Sequence, residues 1–306
     1  MSLLELRGVL KQYEGVTAVD RVSFTVPDGA IFGLLGPNGA GKTSIIRMIT
    51  TITRPDEGEI YVAGVPVGRE TIGRVGYMPE ERGLYKKMSV EDHLMYLAQL
   101  KGLSAKHAKS ELERWFGRFD ITSWRNKKIE ELSKGMQQKI QFIATVVHDP
   151  DLIILDEPFS GLDPINANLI KDEIYELAQR GKQILFSTHR MQQVEEICDY
   201  IVLINKGRNV LEGRVQEIRE RFRENIFEVY VEGELPVEVL AKYPPRERLR
   251  DGGYVLSMPD TETRGNALLA ELIHAGTPVT AFREVLPSLD EVFIKQVGSY
   301  DPALLS

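Results

Sequence analysis

The chain has 306 residues, 42 % of them hydrophobic and 27 % charged, enough to bury the core of one large domain or two ordinary ones. A net charge of -7, with no block of five or more basic residues, excludes the electrostatic footprint of a general nucleic-acid binder. The single cysteine, Cys198, lies in the stretch VEEICDYIVLI, excludes an internal disulfide and reads as a packed thiol in a reducing compartment.

MSLLELRGVLKQYEG has no long apolar core after a basic start, so no secretory signal is expected. Nowhere do about 18 apolar residues run together, so no membrane-spanning helix is expected either. From Leu3 to Val26 the pattern predicts short strands broken at glycine, then a turn at Pro27-Asp28-Gly29 and a buried strand over Ala30 to Gly36. Helical spacing begins after Gly41 with KTSIIRMIT and ends at Pro55-Asp56-Glu57-Gly58, before EIYVAG resumes strand character. From Val90 to Val147 three helix-forming segments predict a helical subdomain. Strands return at LIILDEP and QILFSTH with the helix NANLIKDEIYELAQR between them, a βαβ unit that demands a parallel sheet. Asn205-Lys206-Gly207-Arg208 reads as a strand turn. Beyond about Gly213, RVQEIRERFREN is a charged helix, and the remainder alternates into a small α+β domain of βαββαβ order, with a hairpin turn at Asp251-Gly252-Gly253.

Three segments carry chemistry. In Gly36-Pro37-Asn38-Gly39-Ala40-Gly41-Lys42-Thr43, glycines allow backbone N–H groups to turn inward around phosphate oxygens. Lys42 then reaches the β and γ phosphates, the hydroxyl of Thr43 ligates Mg2+, and Ser44 continues the helix N-terminus. The strand LIILDEP ends in two adjacent carboxylates predicted to point to opposite sides, Asp156 toward a magnesium ion and Glu157 toward an attacking water. In LSKGMQQK, Ser133 stands where an N-cap belongs, at the head of a helix running to about Val147 whose free amides attract anionic oxygen. Read alone, that segment is an ordinary capped helix; the order of the motifs makes it more.

Phosphate loop, LSKGMQQK, carboxylate strand, Ser160-Gly161-Leu162-Asp163 and Ser187-Thr188-His189 follow one another in an order that resembles the ATP-binding cassette (ABC) family, the nucleotide-binding subunits of ABC transporters. The likeness covers about Leu3 to Gly213, with GPNGAGKT similar to the Walker A loop, LSKGMQQK to the ABC signature, LIILDEP to Walker B, SGLD to the D-loop and STHR to the switch-histidine region. It implies an α/β fold: a P-loop NTPase core with an antiparallel β subdomain and a helical subdomain at about 89–147, filling residues 1–215, with 216–306 as linker helix and accessory α+β domain. It also implies two cassettes stacked head to tail around two ATP, with Ser133 and Gly135 contacting the γ phosphate of the partner's nucleotide and Asp163 of the D-loop among the nucleotide-binding residues. Tyr13 would stack on adenine with Val19 beside it, and His189 would bridge Glu157, water and γ phosphate. The partners implied are a second ABC subunit and an integral membrane permease, not nucleic acid, with the chain held on the inner face of the membrane from the cytoplasm.

Three residues depart from the family pattern. Glu80 occupies the usual glutamine position of the Q-loop, where its carboxylate still approaches magnesium, while Lys134 and Met136 replace a glycine and a glutamine of the signature. Together with the tail, these departures resemble the cassettes of ABC-2 type exporters, including sodium-efflux-like and bacitracin-type systems. The rival reading is an ABC ATPase that acts on ribosomes or DNA, but two cassettes in one chain or long coiled coils are absent from the sequence. The segment from Glu80 to Met88 is where the likeness places a permease's docking helix.

Overall fold

The computed structural model describes residues 3–81, 83–258 and 265–298. The chain divides into two compact units, Met1–Val215 and Gln216–Ser306.

In the first unit β1 (Leu4–Tyr13) and β2 (Val16–Val26) form an antiparallel hairpin. Gly8 does not break β1 as the sequence pattern predicted. It takes a left-handed φ of 56° and lets the strand continue through a bulge between Leu6 and Val9, where its N–H donates to the Ser23 hydroxyl at 2.8 Å. The expected break falls at the second glycine of the stretch, where the chain turns at Glu14-Gly15. The fully buried β3 (Ile31–Leu35) feeds the glycine loop, and α1 (Lys42–Ile49) starts directly after Gly41. Then β4 (Glu57–Val62) pairs antiparallel with β1, and the two-residue β5 (Val65–Pro66) lies at the edge. This closes a sheet of order β2-β1-β4-β5.

After β6 (Val75–Met78) come α2 (Val90–Leu100), α3 (Ala105–Arg118) and α4 (Lys134–Val146). Each begins at a serine, Ser89, Ser104 and Ser133, whose hydroxyl accepts the N–H three residues on and satisfies one amide of the first turn. The chain continues through β7 (Leu152–Asp156), α5 (Pro164–Gln179), β8 (Gln183–Thr188), α6 (Met191–Ile197), β9 (Tyr200–Asn205) and β10 (Arg208–Arg214). The second sheet has the order β10-β9-β3-β8-β7-β6, parallel except for the β9–β10 hairpin. Every residue of β3, β7 and β8 is buried, the continuous apolar run of strands covered on both faces. One core joins the antiparallel sheet to the parallel one through α1: Leu4, Leu6 and Phe24 pack in the same cluster as Ile45, Ile49, Ile154 and Leu185. Cys198 is a packed thiol, its Sγ among the atoms crowding Gly33, and burial pushes its pKa up.

The boundary falls within α7 (Val215–Arg221). In the second unit β11 (Ile226–Val231), α8 (Val237–Lys242), β12 (Pro245–Arg248), β13 (Tyr254–Ser257), α9 (Gly265–His274) and β14 (Val279–Val285) follow the predicted βαββαβ order, and α10 (Leu289–Gly298) comes after. The sheet is antiparallel, of order β12-β13-β11-β14. Alternation in β11 and β13 directs Phe227, Val229, Tyr254 and Leu256 into a core with Leu268 and Leu272 of α9 and Val239 of α8. Tyr243 is fully buried there and donates its hydroxyl to Glu271 at 2.9 Å, so its polar end is satisfied.

Candidate nucleotide site

The carboxyl ends of β3, β7 and β8 point toward one place, the position where open parallel sheets hold ligands. At the end of β3 the chain needs glycine at Gly36 and Gly41. Both take positive φ, 147° and 111°, and a Cβ on them would collide with the carbonyls of Ile204 and Ala18. The β9–β10 hairpin braces the loop from behind, since Gly207 donates its N–H to the Ala40 carbonyl at 2.9 Å. Lys206 and Gly207 are both left-handed, the two-residue turn expected there.

No side chain caps α1, so its first-turn amides face outward from a positive helix end. The Lys42 ammonium donates to the carbonyls of Gly36 at 2.6 Å and Pro37 at 3.1 Å, which fixes its direction and leaves one of its three protons for a further acceptor. A cavity of about 210 Å³ opens over this loop, lined by residues 38–44 together with Ala18, Glu80, Asp156, Glu157 and His189.

Asp156 and Glu157 thus share one cavity rather than facing opposite sides. The alternation that predicted opposite faces stops at Asp156, the last residue of β7. Glu157 takes φ 51°, outside the strand conformation, and its side chain turns back toward the loop. It is held there by three contacts. Its Oε1 accepts the His189 backbone N–H at 2.9 Å and lies 2.7 Å from His189 Nδ1, while Oε2 accepts the Thr188 hydroxyl at 3.1 Å. A proton on Nδ1 serves the carboxylate, which turns Nε2 of the half-exposed ring outward.

Three carboxylates and one lysine therefore line one cavity, with Asp156 and Glu157 buried and Glu80 exposed at its edge. Burial pushes the Asp156 pKa up, and Glu80 and Glu157 add to this while Lys42 and the Ser187 hydroxyl oppose it. Burial lowers the Lys42 pKa, against the pull of Asp156, Glu157 and Glu80. The excess negative charge calls for a cation. Among the described residues no group of three or more His, Cys, Asp or Glu could hold a metal by itself. The oxygens of Thr43, Asp156 and Glu80 suit a hard cation that takes its remaining ligands from phosphate and water.

The other sequence-predicted residues stand apart from this cavity. Tyr13 ends β1, 38 % exposed, with Lys11 Nζ 5.4 Å from its ring centroid. Val19 has no exposed surface and packs in the core, so it cannot flank a base; its neighbour Ala18 lines the cavity instead. Ser133 caps α4, and Asp163 caps α5 by accepting the Asn166 N–H at 3.0 Å. A Cβ at Gly135 would lie 3.6 Å from Leu162, so the signature and SGLD segments meet each other and not Lys42. Sequence reasoning missed Ala18, and it missed Gln138 and Gln141. The signal for the glutamines was a pair of amides at positions of IQFIATVV and its approach where helical periodicity calls for apolar side chains.

Residues 19–160 match the family described as ABC transporter, and residues 213–297 match the ATP-binding protein DrrA1-3-like, C-terminal domain. An ABC transporter ATP-binding protein of Bacillus subtilis, YhaQ, is 42 % identical over 97 % of this chain and 99 % of its own length. Nod factor export ATP-binding protein I of Burkholderia pseudomallei is 35 % identical over 96 % of this chain and 97 % of its own. Among solved structures, an ATP-binding subunit of an ABC transporter superposes with a TM-score of 0.68 at 32 % identity, over 72 % of this chain and 93 % of that one. A dimeric ATP-binding cassette in a post-hydrolysis state bound to ADP and Pi shares the fold, with a TM-score of 0.63 at 19 % identity over 69 % and 98 % of the two chains. The chain belongs to the ABC transporter family, as an ATP-binding ATPase subunit with a DrrA-like C-terminal domain.

Proposed function

We propose that this subunit dimerises around two ATP molecules, hydrolyses them with Glu157 as general base, and drives export through a separate permease on the inner face of the membrane. The observation that carries the chemistry is the set of contacts on Glu157. Oε1 already accepts two hydrogen bonds, from the N–H and ring of His189, whereas Oε2 accepts one, from Thr188. A free lone pair on Oε2 is where a water proton is taken. As the water oxygen bonds to the γ phosphorus, the bond to the ADP oxygen breaks in line and ADP leaves. Lys42 and the α1 amides hold the β and γ oxygens, and His189 Nε2 faces the γ phosphate. Thr43, Asp156 and Glu80 would hold Mg2+, which when bound neutralises and orients the phosphate oxygens. Tyr13 offers its exposed face to adenine, in place of its contact with Lys11.

Support for the dimer is the separation of Ser133, Gly135 and Asp163 from the chain's own cavity, together with the dimeric form of the ADP- and Pi-bound cassette. Export accords with the relative named for Nod factor export. For the permease, the first unit has an apolar groove of about 400 Å³ between the loop after α1, the segment around Leu84 and helices α2 and α4. Ile52, Ile72 and Leu100 on its walls are 61 %, 43 % and 62 % exposed, an apolar patch unusual for a surface that stays in water. Tyr85, 49 % exposed and in edge contact with Tyr96, lies in the segment expected to receive the docking helix; Arg82 of that segment lies outside the described residues. Among the described residues no helix is long and apolar enough to cross a membrane. A photocrosslinker at Tyr85, in cells expressing the neighbouring permease gene, is expected to trap the membrane subunit. Capture of ribosomal proteins in its place would refute the transport reading.

A further inference from the structure

Two side chains of α4 reach the backbone on either side of the site. Gln138 and Gln141, three residues apart and so on one face of the helix, are 3 % and 4 % exposed. Gln138 Nε2 donates to the Pro158 carbonyl at 2.8 Å and Gln141 Nε2 to the Pro79 carbonyl at 2.6 Å. Pro158 follows Glu157, and Pro79 precedes Glu80. Both carbonyls lie just past the last paired residues of adjacent parallel strands, Asp156 in β7 and Met78 in β6, where the ladder no longer supplies donors. A buried amide costs desolvation and rotamer entropy that an apolar residue at the same position would not. The return is that both carboxylate-bearing turns are fastened to one helix.

The same helix begins at Ser133. A helix is stiff, with a rise of about 1.5 Å per residue, so a shift at Ser133 is delivered about 7.5 Å away at Gln138 and about 12 Å away at Gln141. A single bond would let the helix pivot; two bonds to neighbouring strand ends transmit direction. We propose that Gln138 and Gln141 are positioning residues that tie the signature helix to Glu157 and Glu80, so that engagement of Ser133 by the partner's nucleotide aligns the carboxylates of the chain's own site. This rests on the dimer reading above, and it makes the two ATP sites cooperative through α4.

The test is Gln138→Met and Gln141→Met in the full chain, singly and together, since methionine keeps the volume and removes the donor. Phosphate release against ATP concentration is measured with ATP binding by fluorescence and the thermal midpoint. The expected result is kcat lowered about tenfold in each single variant, ATP affinity within about twofold of the parent, and a Hill coefficient falling toward one. Parental kcat and cooperativity in both variants would overturn the proposal. So would a kcat loss matched by equal losses of ATP affinity and thermal midpoint, which is what mere structural support predicts. Should one variant fail to fold, the other decides, because each strap alone is required for alignment. A parental chain that hydrolyses ATP as a non-cooperative monomer would instead refute the dimer reading, and the coupling with it.

Discussion

Glu157→Gln tests the hydrolytic assignment with the least structural disturbance. Glutamine has the same shape and meets the same left-handed backbone at position 157, where φ is 51°. Its amide oxygen, placed at Oε1, still accepts the His189 N–H and ring N–H, as the 2.9 and 2.7 Å contacts require. Its NH2 group then faces Thr188, whose hydroxyl rotates from donor to acceptor across the same 3.1 Å. All the wild-type contacts thus survive, and folding stability should change by less than about 1 kcal/mol. What disappears is the lone pair that takes the water proton. General-base catalysis contributes about 10²- to 10⁴-fold, so kcat should fall by that factor, about 3 to 5.5 kcal/mol of barrier. ATP binding, which depends on Lys42 and the loop, should persist, and the ATP-bound dimer should accumulate. Single-turnover phosphate release, run with size-exclusion chromatography in ATP, reads both effects. Turnover within about threefold of wild type would refute the base assignment.

The remaining predictions concern buried charge. Asp156→Asn should raise the thermal midpoint of the nucleotide-free protein while abolishing hydrolysis. Burial holds the Asp156 carboxyl above its unfolded value, so folding takes up a proton, and stability falls as pH rises from the unfolded carboxylate range through the folded one. The gain should therefore be larger at pH 7 than at pH 4, and a midpoint lowered at pH 7 would contradict it. His93 is fully buried on α2 with neither ring nitrogen hydrogen-bonded, and burial lowers its pKa from 6.5 to about 4. Its neutral form is secure above the unfolded pKa, and stability is lost as pH falls from 6.5 toward about 4, by about 3 kcal/mol at most. Urea melts of His93→Leu should show a smaller acid loss between pH 7 and pH 4.5 than the wild type. His148, also lowered to about 4, contributes to the loss that remains. An unchanged pH dependence in the variant would count against the buried-charge account.

The parts of the fold legible in the sequence were those written in local pattern. Unbroken apolar runs gave β3, β7 and β8, Ser133 before helical periodicity gave the start of α4, and Asp251-Gly252-Gly253 gave the β12–β13 turn. Failures occurred where one backbone angle overrides a pattern. Gly8 reads as a breaker, yet its left-handed φ preserves the strand by a bulge, and Glu157 leaves the strand period by a conformation that non-glycine residues rarely adopt. Val19 shows a different limit. Two adjacent strand residues face opposite sides, so choosing Val19 over Ala18 reverses which one sees the cavity, and spacing alone does not set that register. The roles of Gln138 and Gln141 were hidden for a third reason: their amides stand out against the helical period, but their partners are carbonyls 20 and 62 residues away in sequence.

The two phosphate-facing segments of this chain are built from one helix-terminus principle but are completed differently. The α1 terminus has no side-chain cap and is backed by a lysine and three carboxylates, so its amides are free and its counter-charges are in place. The α4 terminus is capped by Ser133, whose hydroxyl already accepts the Met136 N–H at 3.3 Å, and no acidic residue stands in its first turn. That bond is long for a neutral hydrogen bond and can be exchanged for a charge-assisted one to phosphate. Lys134, the next residue, adds positive charge to the same helix end, while Glu80 adds negative charge to the first cavity. If each cavity closes against a partner's α4, the two departures from the family pattern meet across the interface and offset one another. Reversing both charges, Glu80→Lys with Lys134→Glu, should then restore more ATPase activity than either single change retains. A double variant no better than the worse single one would separate the two residues and leave Glu80 acting on the metal alone.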